Sequence, residues 1–300
     1  MPQTAKTTTS FSALQIDIAR HATDDFNPFH DKLRWDRIRA NPFSGPLVLG
    51  FQSIAFMDNA LQNFRRASGE TELINQQGLR FSNFEVRFIN AITADQAVEF
   101  EIRKSNWSEE KKQLRNRIVM RVDDRIVLTG HKVESARPAL DVDFGVNPAK
   151  VSTTSDRDFI ANTDLFLKRK FMMTSNAKNF LAASAVEPAT YVDEIIDLVN
   201  FPESYPLSLI SCALLECGIK AGHDFVRDPM VYAYHRYSTD RHALATLRSN
   251  EPLDIIVRQQ PSNPDDKLVR HNCVAYRGNE KLFTAETGLM PLTGITEARD

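Results

Sequence analysis

Two prolines, Pro28 and Pro46, recur as Pro188 and Pro206, separated by 160 residues in both cases. The same interval carries Phe11 to Phe171, Ala22 to Ala182, Leu47 to Leu207 and Leu49 to Leu209. A repeat of this length constrains a chain more than any local pattern, because both copies must adopt one plan and pack together. The 300 residues give room for two units of ordinary size. We therefore expect a first copy over residues 1–135 and a second over 165–300. Between them, 136–164 holds Pro138, Gly145, Pro148 and a Ser/Thr cluster, which reads as a linker.

Each copy opens with a helix. In the first, Ser12 and Gln15 fit a capping box, with Phe11 and Ile16 as the apolar staple around it. Leu14, Ile18 and Ala22 then define one buried face. Asn27-Pro28 is a good cap and first helical residue, so Pro28 to Ala40 is expected to start a second helical piece. From Pro46 to Phe64 the spacing predicts a helix whose first turns are apolar almost all round, and such a helix has to be wrapped. Strand patterns follow. Phe84, Val86 and Phe88 alternate with Glu85 and Arg87, and Val98, Phe100 and Ile102 alternate with Glu99 and Glu101. Ile118, Met120 and Val122 form a third run, Asp123-Asp124 a turn, and Ile126 to Val133 a fourth run. The second copy repeats the order. A buried helix spans about Pro206 to Ala221, then strands run near Met230–His235, Leu253–Val257, Leu268–Tyr276 and Leu282–Leu289, with a hairpin at Gly278-Asn279. The residue patterns alone support a duplicated α+β fold.

The run Asp25-Phe26-Asn27-Pro28-Phe29-His30 carries the chemistry. It resembles the Asp-x-Asn-Pro-x-His signature of the MaoC-like, or (R)-specific, enoyl-CoA hydratase family. The longer run Asp24 to Asp31 also resembles an uncharacterised bacterial branch of hot-dog proteins. Phe88 to Asp95 is similar to the family's strand–loop–strand. The motif-level resemblance covers about residues 11 to 134, and the second half follows only as fold. It implies a double hot-dog, in which 1–135 is a repeat carrying the motif and 165–300 a degenerate repeat.

The reaction implied is (R)-specific hydration of trans-2-enoyl thioesters, or the reverse dehydration, on CoA or acyl carrier protein. By resemblance Asp25 and His30 are the acid/base pair, a kind of help typically worth about 10²–10⁴-fold for each group. Asn27 shapes the bend, and Pro28 forces Asn27 out of the helical region. Gly50 stands where a helix N-terminus meets the thioester oxygen. Two positions depart from the family: Asp24 replaces its usual Gly, and Leu49 replaces a His. A second carboxylate at Asp24 either raises the pKa of Asp25 or points to solvent. In the second copy the interval of 160 places Ala185, Glu187, Thr190 and Ile210 opposite Asp25, Asn27, His30 and Gly50, so one site per chain is expected. The alternatives are a non-catalytic acyl-thioester-binding or regulatory protein, and an acyl thioesterase.

The remaining signals are bland. His21, His131, His223, His235, His242 and His271 lack metal-ligand spacing, and no cofactor is expected. Tyr232, Tyr234 and Tyr237 read as packing. Lys168-Arg169-Lys170 reads as a solvated patch that a CoA phosphate could touch, and Glu109 to Lys112 as a solvated loop. Cys212, Cys217 and Cys273 form no framework and read as core thiols in a reducing compartment. A net charge of −2 gives no reason to expect nucleic acid or an anionic membrane. Met1 to Ser10 is polar, lacks the apolar stretch of a signal peptide and reads as a frayed tail. A cytoplasmic protein, either monomeric as a pseudo-dimer or homodimeric, is the expectation.

Overall fold

The computed structural model describes residues 4–147, 151, 153–261 and 267–292. The helices are α1 (Ala13–Thr23), α2 (Gly50–Ala67), α3 (Glu70–Gln76), α4 (Thr174–Ala183), α5 (Ser204–Ser208), α6 (Ile210–Lys220) and α7 (Arg241–Ala245). The first-half strands are β1 (Thr4–Thr9), β2 (Phe81–Phe88), β3 (Val98–Arg103), β4 (Asn106–Ser108), β5 (Gln113–Val122) and β6 (Arg125–Ser135). The second half adds β7 (Asp158–Phe159), β8 (Phe166–Phe171), β9 (Val192–Asp193), β10 (Leu198–Val199), β11 (Met230–Asp240), β12 (Pro252–Gln259), β13 (Val269–Arg277) and β14 (Glu280–Pro291).

Twelve strands make one sheet in the order β1-β3-β5-β6-β2-β11-β14-β13-β12-β8-β7, with β4 on β5, and β9 pairs with β10 apart from it. The order reads the same outward from the β2–β11 seam in both directions, as two copies of one plan require. The seam is antiparallel, with Val86 opposite His235 and Phe84 opposite Tyr237. α2 lies buried from Phe51 to Asp58. Phe56 packs edge-on against Phe11 and Phe100, and the Gln52 amide donates to the Ala183 carbonyl at 2.6 Å. The apolar helix is thus wrapped by its own sheet and by the second half. This is the α+β double hot-dog arrangement.

The capping box forms as expected: Gln15 N donates to Ser12 Oγ at 3.2 Å and Ser12 N to Gln15 Oε1 at 2.9 Å. The buried face of α1 is Ile16, Ala19, Ala22 and Thr23, whereas Leu14 is exposed. Of the expected face, Ala22 is buried and Ile18 packs against the core at its edge, so only Leu14 falls outside it. Residues 4–9 are not a tail. They form edge strand β1, pairing with β3 from Thr4↔Arg103 to Thr9↔Val98. Threonines suit such a half-exposed edge. The expected helix after Pro28 is only two single 3₁₀ turns, Pro28–His30 and Trp35–Arg37. α2 starts at Gly50, and Pro46 to Leu49 lies outside it.

The connection between the halves has its own small core. Val142, Val151 and Leu165 pack on Leu167, Ile256, Val274 and Tyr276, joined by Leu140, Phe144 and Ile160. This layer covers the second face of the sheet there, so Leu253 to Val257 is buried without alternation. Lys168-Arg169-Lys170 is not a solvated patch: Lys168 pairs with Asp156 and Glu216, Arg169 with Asp254, and Lys170 with Asp24. All three cysteines are free and buried. Among the described residues, no helix is long and apolar enough to cross a membrane.

Candidate active site

The bend around Pro28 is built from local hydrogen bonds. α1 ends at Asp24 in the left-handed region (φ 54°), and Asp25 N reaches back to Arg20 O at 2.9 Å. Asn27 Oδ1 accepts from Phe29 N at 3.2 Å, and Pro28 occupies the first position of the 3₁₀ turn. Asn27 N donates to Asp25 Oδ1 at 3.1 Å. The chain then brings Asp25 and His30 to the same side, both buried. Asp24 points outward to Lys170, away from Asp25.

His30 is held in one orientation. Its Nδ1 lies 2.8 Å from the Leu47 carbonyl oxygen. A carbonyl only accepts, so Nδ1 carries a proton, and the tautomer that leaves a lone pair at Nε2 is the one this contact selects whenever the ring is uncharged. Nε2 faces Asp25 Oδ2 across 3.9 Å. That gap is too long for a direct hydrogen bond and short enough for one water to touch both atoms. Two acceptors facing each other hold a water through both of its hydrogens, and its oxygen lone pairs then point outward.

The Leu47 carbonyl is available because Pro46 to Leu49 is extended. Leu47 N donates to Phe29 O at 2.8 Å, Val48 N to Ile92 O at 2.8 Å, and Leu47 bridges Thr93. This segment ties the motif turn to the loop after β2 and delivers the chain to the start of α2. Leu49 offers no side-chain cap there. The first N–H groups of α2 therefore lack the partner a cap supplies, and the helix dipole adds partial positive charge.

A cavity of about 110 Å³ joins these parts, lined by Asn27, His30, Val48, Gly50, Phe88 and Tyr232 among others. Phe88 lies over Gly50: a Cβ added at Gly50 would meet the ring at 2.9 Å. Of the four residues singled out from sequence, Asn27, His30 and Gly50 line this cavity; Asp25 does not, and approaches it only through its 3.9 Å contact with His30 Nε2. Asp95, after the 88–95 loop, is exposed and caps the loop by donating its N–H to Phe11 O at 2.9 Å.

Sequence reasoning did not find Tyr232, which crosses from the second half. Its hydroxyl pairs with Ser211 Oγ at 2.7 Å, and its ring packs with His235 at 4.5 Å. Burial pushes the Tyr232 phenol well above its ordinary pKa, and the nearby Asp25 charge adds to that. The tyrosine stripe was visible in the sequence, but nothing local says that one of its members reaches the other half. Among the described residues, no group of three or more His, Cys, Asp or Glu is placed to hold a metal ion.

No family model and no curated protein matches the chain. Solved structures do match in fold. A MaoC-like dehydratase superposes with a TM-score of 0.60 at 12% identity, over 96% of this chain and 97% of its own. The full-length peroxisomal multifunctional enzyme type 2 from Drosophila melanogaster gives 0.57 at 7% identity, over 96% of this chain. This chain spans only 48% of that one. The 12:0-ACP thioesterase from Umbellularia californica gives 0.55 at 10% identity, over 96% and 94%. The likeness is one of fold: the chain is a double hot-dog with the architecture of MaoC-like dehydratases.

Proposed function

We propose that the chain is an (R)-specific hydratase or dehydratase of enoyl and 3-hydroxyacyl thioesters, with one site per chain in the motif-bearing repeat. The observation that carries this reading is the 3.9 Å approach of Asp25 Oδ2 to His30 Nε2, close enough for one water to touch both, beside a helix N-terminus that begins at Gly50. In hydration, the held water adds its oxygen to the β-carbon while one of its protons passes to the Asp25/His30 pair. The pair then returns a proton to the α-carbon on the same face. Between these events charge accumulates on the thioester oxygen, where the N–H groups at the start of α2 meet it. Phe88 lies over Gly50 and has to move for a carbonyl to approach there.

Support from the fold neighbours is coarser, since they include a thioesterase as well as dehydratases. The test is to mix the purified protein with crotonyl-CoA and longer trans-2-enoyl-CoAs and follow loss of the conjugated absorbance. Asp25→Asn and His30→Ala are each expected to lower the rate by about 10²–10⁴-fold with the fold intact. Release of free thiol without loss of the enoyl group would make the protein a thioesterase. Binding of acyl-CoA with no turnover at any chain length would make it a binding protein, and either result overturns the proposal.

A further inference from the structure

A second cavity, of about 550 Å³, lies at the far end of α2 and shares no lining residue with the first. It is walled by the last turns of α2, the loop before α5, the α7 turn and β6. Glu203 in that loop stands 160 residues beyond Phe43, which lines the first cavity. The two cavities thus use corresponding segments of the two halves.

Its floor is a buried charge network. Lys132 Nζ lies 2.5 Å from Asp58 Oδ1 and 3.0 Å from Glu203 Oε2, and Arg65 Nη1 lies 2.5 Å from Glu134 Oε1. Arg65 also holds Asn116 Oδ1 through Nε and Nη2, at 3.0 and 2.8 Å. Three carboxylates face two cations, and all five residues are at most 5% exposed. Burial, against the pull of Lys132, raises the pKa of Glu203, whereas Arg65, Lys132 and Arg241 hold that of Glu134 down against its burial. The network is still incomplete: Glu134 Oε2 and Glu203 Oε1 have no hydrogen-bond partner.

The outer wall has the opposite character. Arg66 donates to Asn63 Oδ1 at 3.3 Å and Arg241 to the Leu79 carbonyl at 3.1 Å. Among the described residues, neither guanidinium has a carboxylate within ion-pair distance. Apolar side chains would fill the floor at lower desolvation cost, so locking the halves together does not account for a charged floor under an open cavity. Nor does it account for two guanidinium groups on the wall above that, among the described residues, have neutral hydrogen-bond acceptors and no carboxylate partner. A pocket of this size, with convergent polar groups and perturbed carboxylates, has the character of a ligand site.

We propose that this cavity binds a small organic anion that also carries a hydrogen-bond donor. Its carboxylate or phosphate meets Arg66 and Arg241, and a hydroxyl or ammonium reaches the Glu134–Glu203 end. The inference is independent of the hydratase reading. The test is calorimetric titration of the full chain with acetate, inorganic phosphate, L-lactate and L-serine. Lactate or serine should bind at least ~10-fold more tightly than acetate, since charge-assisted hydrogen bonds at both ends act together. Arg241→Ala, on the outer wall, should weaken binding by ~10-fold or more, and Glu203→Gln should erase the preference over acetate. Asp25→Asn should leave binding unchanged. Should the glutamine variant fail to fold, Arg241→Ala decides. The proposal fails if none of the four probes binds at millimolar concentration, if phosphate or acetate binds as well as lactate and serine, or if Arg241→Ala binds like the parent.

Discussion

The two copies of the proline turn can be laid side by side. Asn27 Oδ1 accepts from Phe29 N at 3.2 Å, and Glu187 Oε1 accepts from Ala189 N at the same distance. Asp31 N closes the first turn on Pro28 O at 3.1 Å, and Tyr191 N closes the second on Pro188 O at 2.9 Å. Each follows a left-handed residue, Asp24 at φ 54° and Ala185 at φ 55°. The hydrogen bonds after that residue also match, Asp25 N to Arg20 O and Val186 N to Leu181 O. The second copy is one residue shorter before its proline. The counterpart of Asp25 is therefore Val186, not the Ala185 that a constant interval of 160 predicts. The bend needs a proline and a capping acceptor, and it needs neither Asp25 nor His30.

The halves part company in the segment that follows. Pro46 to Leu49 is extended and offers the Leu47 carbonyl to His30, while Pro206 to Ser208 is coiled into α5. The expected single helix from Pro206 to Ala221 is interrupted at Leu209, between α5 and α6. Thr190, in the place of His30, is exposed to solvent, and Ile210, in the place of Gly50, is fully buried. Asp25 and His30 are held together only where the entering chain stays extended.

The sharpest way to break this contrast is to change the two helix starts. Gly50→Ala puts a methyl against the end of the Phe88 ring, which packs on Tyr232 and His235 and must shift, so the protein should fold at a cost of about 1–3 kcal/mol. The proposed hydratase activity should nevertheless fall by about 10²–10³-fold, the usual cost of losing an oxyanion contact. Ile210→Ala should do the reverse, costing about 2–5 kcal/mol in stability with unchanged activity per folded molecule. Activity assays beside urea denaturation of both variants separate the effects. A Gly50→Ala variant with the parental rate would remove Gly50 from the proposed site.

These asymmetries also mark what could be read from the residues. The capping box, the Asn27-Pro28 turn and the alternating strands are set by neighbours in sequence, and they appear where the pattern puts them. Lys132 and Glu134 were harder to interpret. They share a strand face with Gly130, and nothing near them in sequence says that Asp58 and Glu203 lie opposite. Edge strand β1 depends on β3, ninety residues on, and the packed connection over β12 depends on a surface formed only when the second sheet closes. Phe88 over Gly50 and Tyr232 beside Asp25 are contacts of the same long-range kind.

Acid should also distinguish the halves. His235 and His271 flank Thr287 from the two neighbouring strands, all within the second half of the sheet. Burial lowers His235 to about 3 and His271 to about 4. Between those values and about 6.5 the unfolded chain binds protons that the folded chain does not. Their contribution is therefore complete above pH 6.5 and declines as pH falls through that window. For His235 the loss is about 3 kcal/mol by pH 4. Urea midpoints measured from pH 7 to pH 4 should drop steeply in the parent and less in His235→Phe. An unchanged slope in that variant would place the acid-labile groups elsewhere.

The smallest expected difference tests the left-handed residues themselves. An alanine at φ 55° bears a steric cost that glycine avoids, so Ala185→Gly should stabilise the chain by about 1 kcal/mol. Asp24 has the same backbone but less to gain. Aspartate tolerates this region better than alanine, and Asp24→Gly also removes the pair with Lys170, a contact of about 0–1 kcal/mol at an exposed carboxylate. The two effects oppose each other, so its urea midpoint should barely move. Equal gains in both variants would mean that the Lys170 pair contributes nothing to joining the halves. No gain at Ala185 would mean that the second turn has relaxed around its alanine. The correspondence between the two bends would then be one of shape without shared strain.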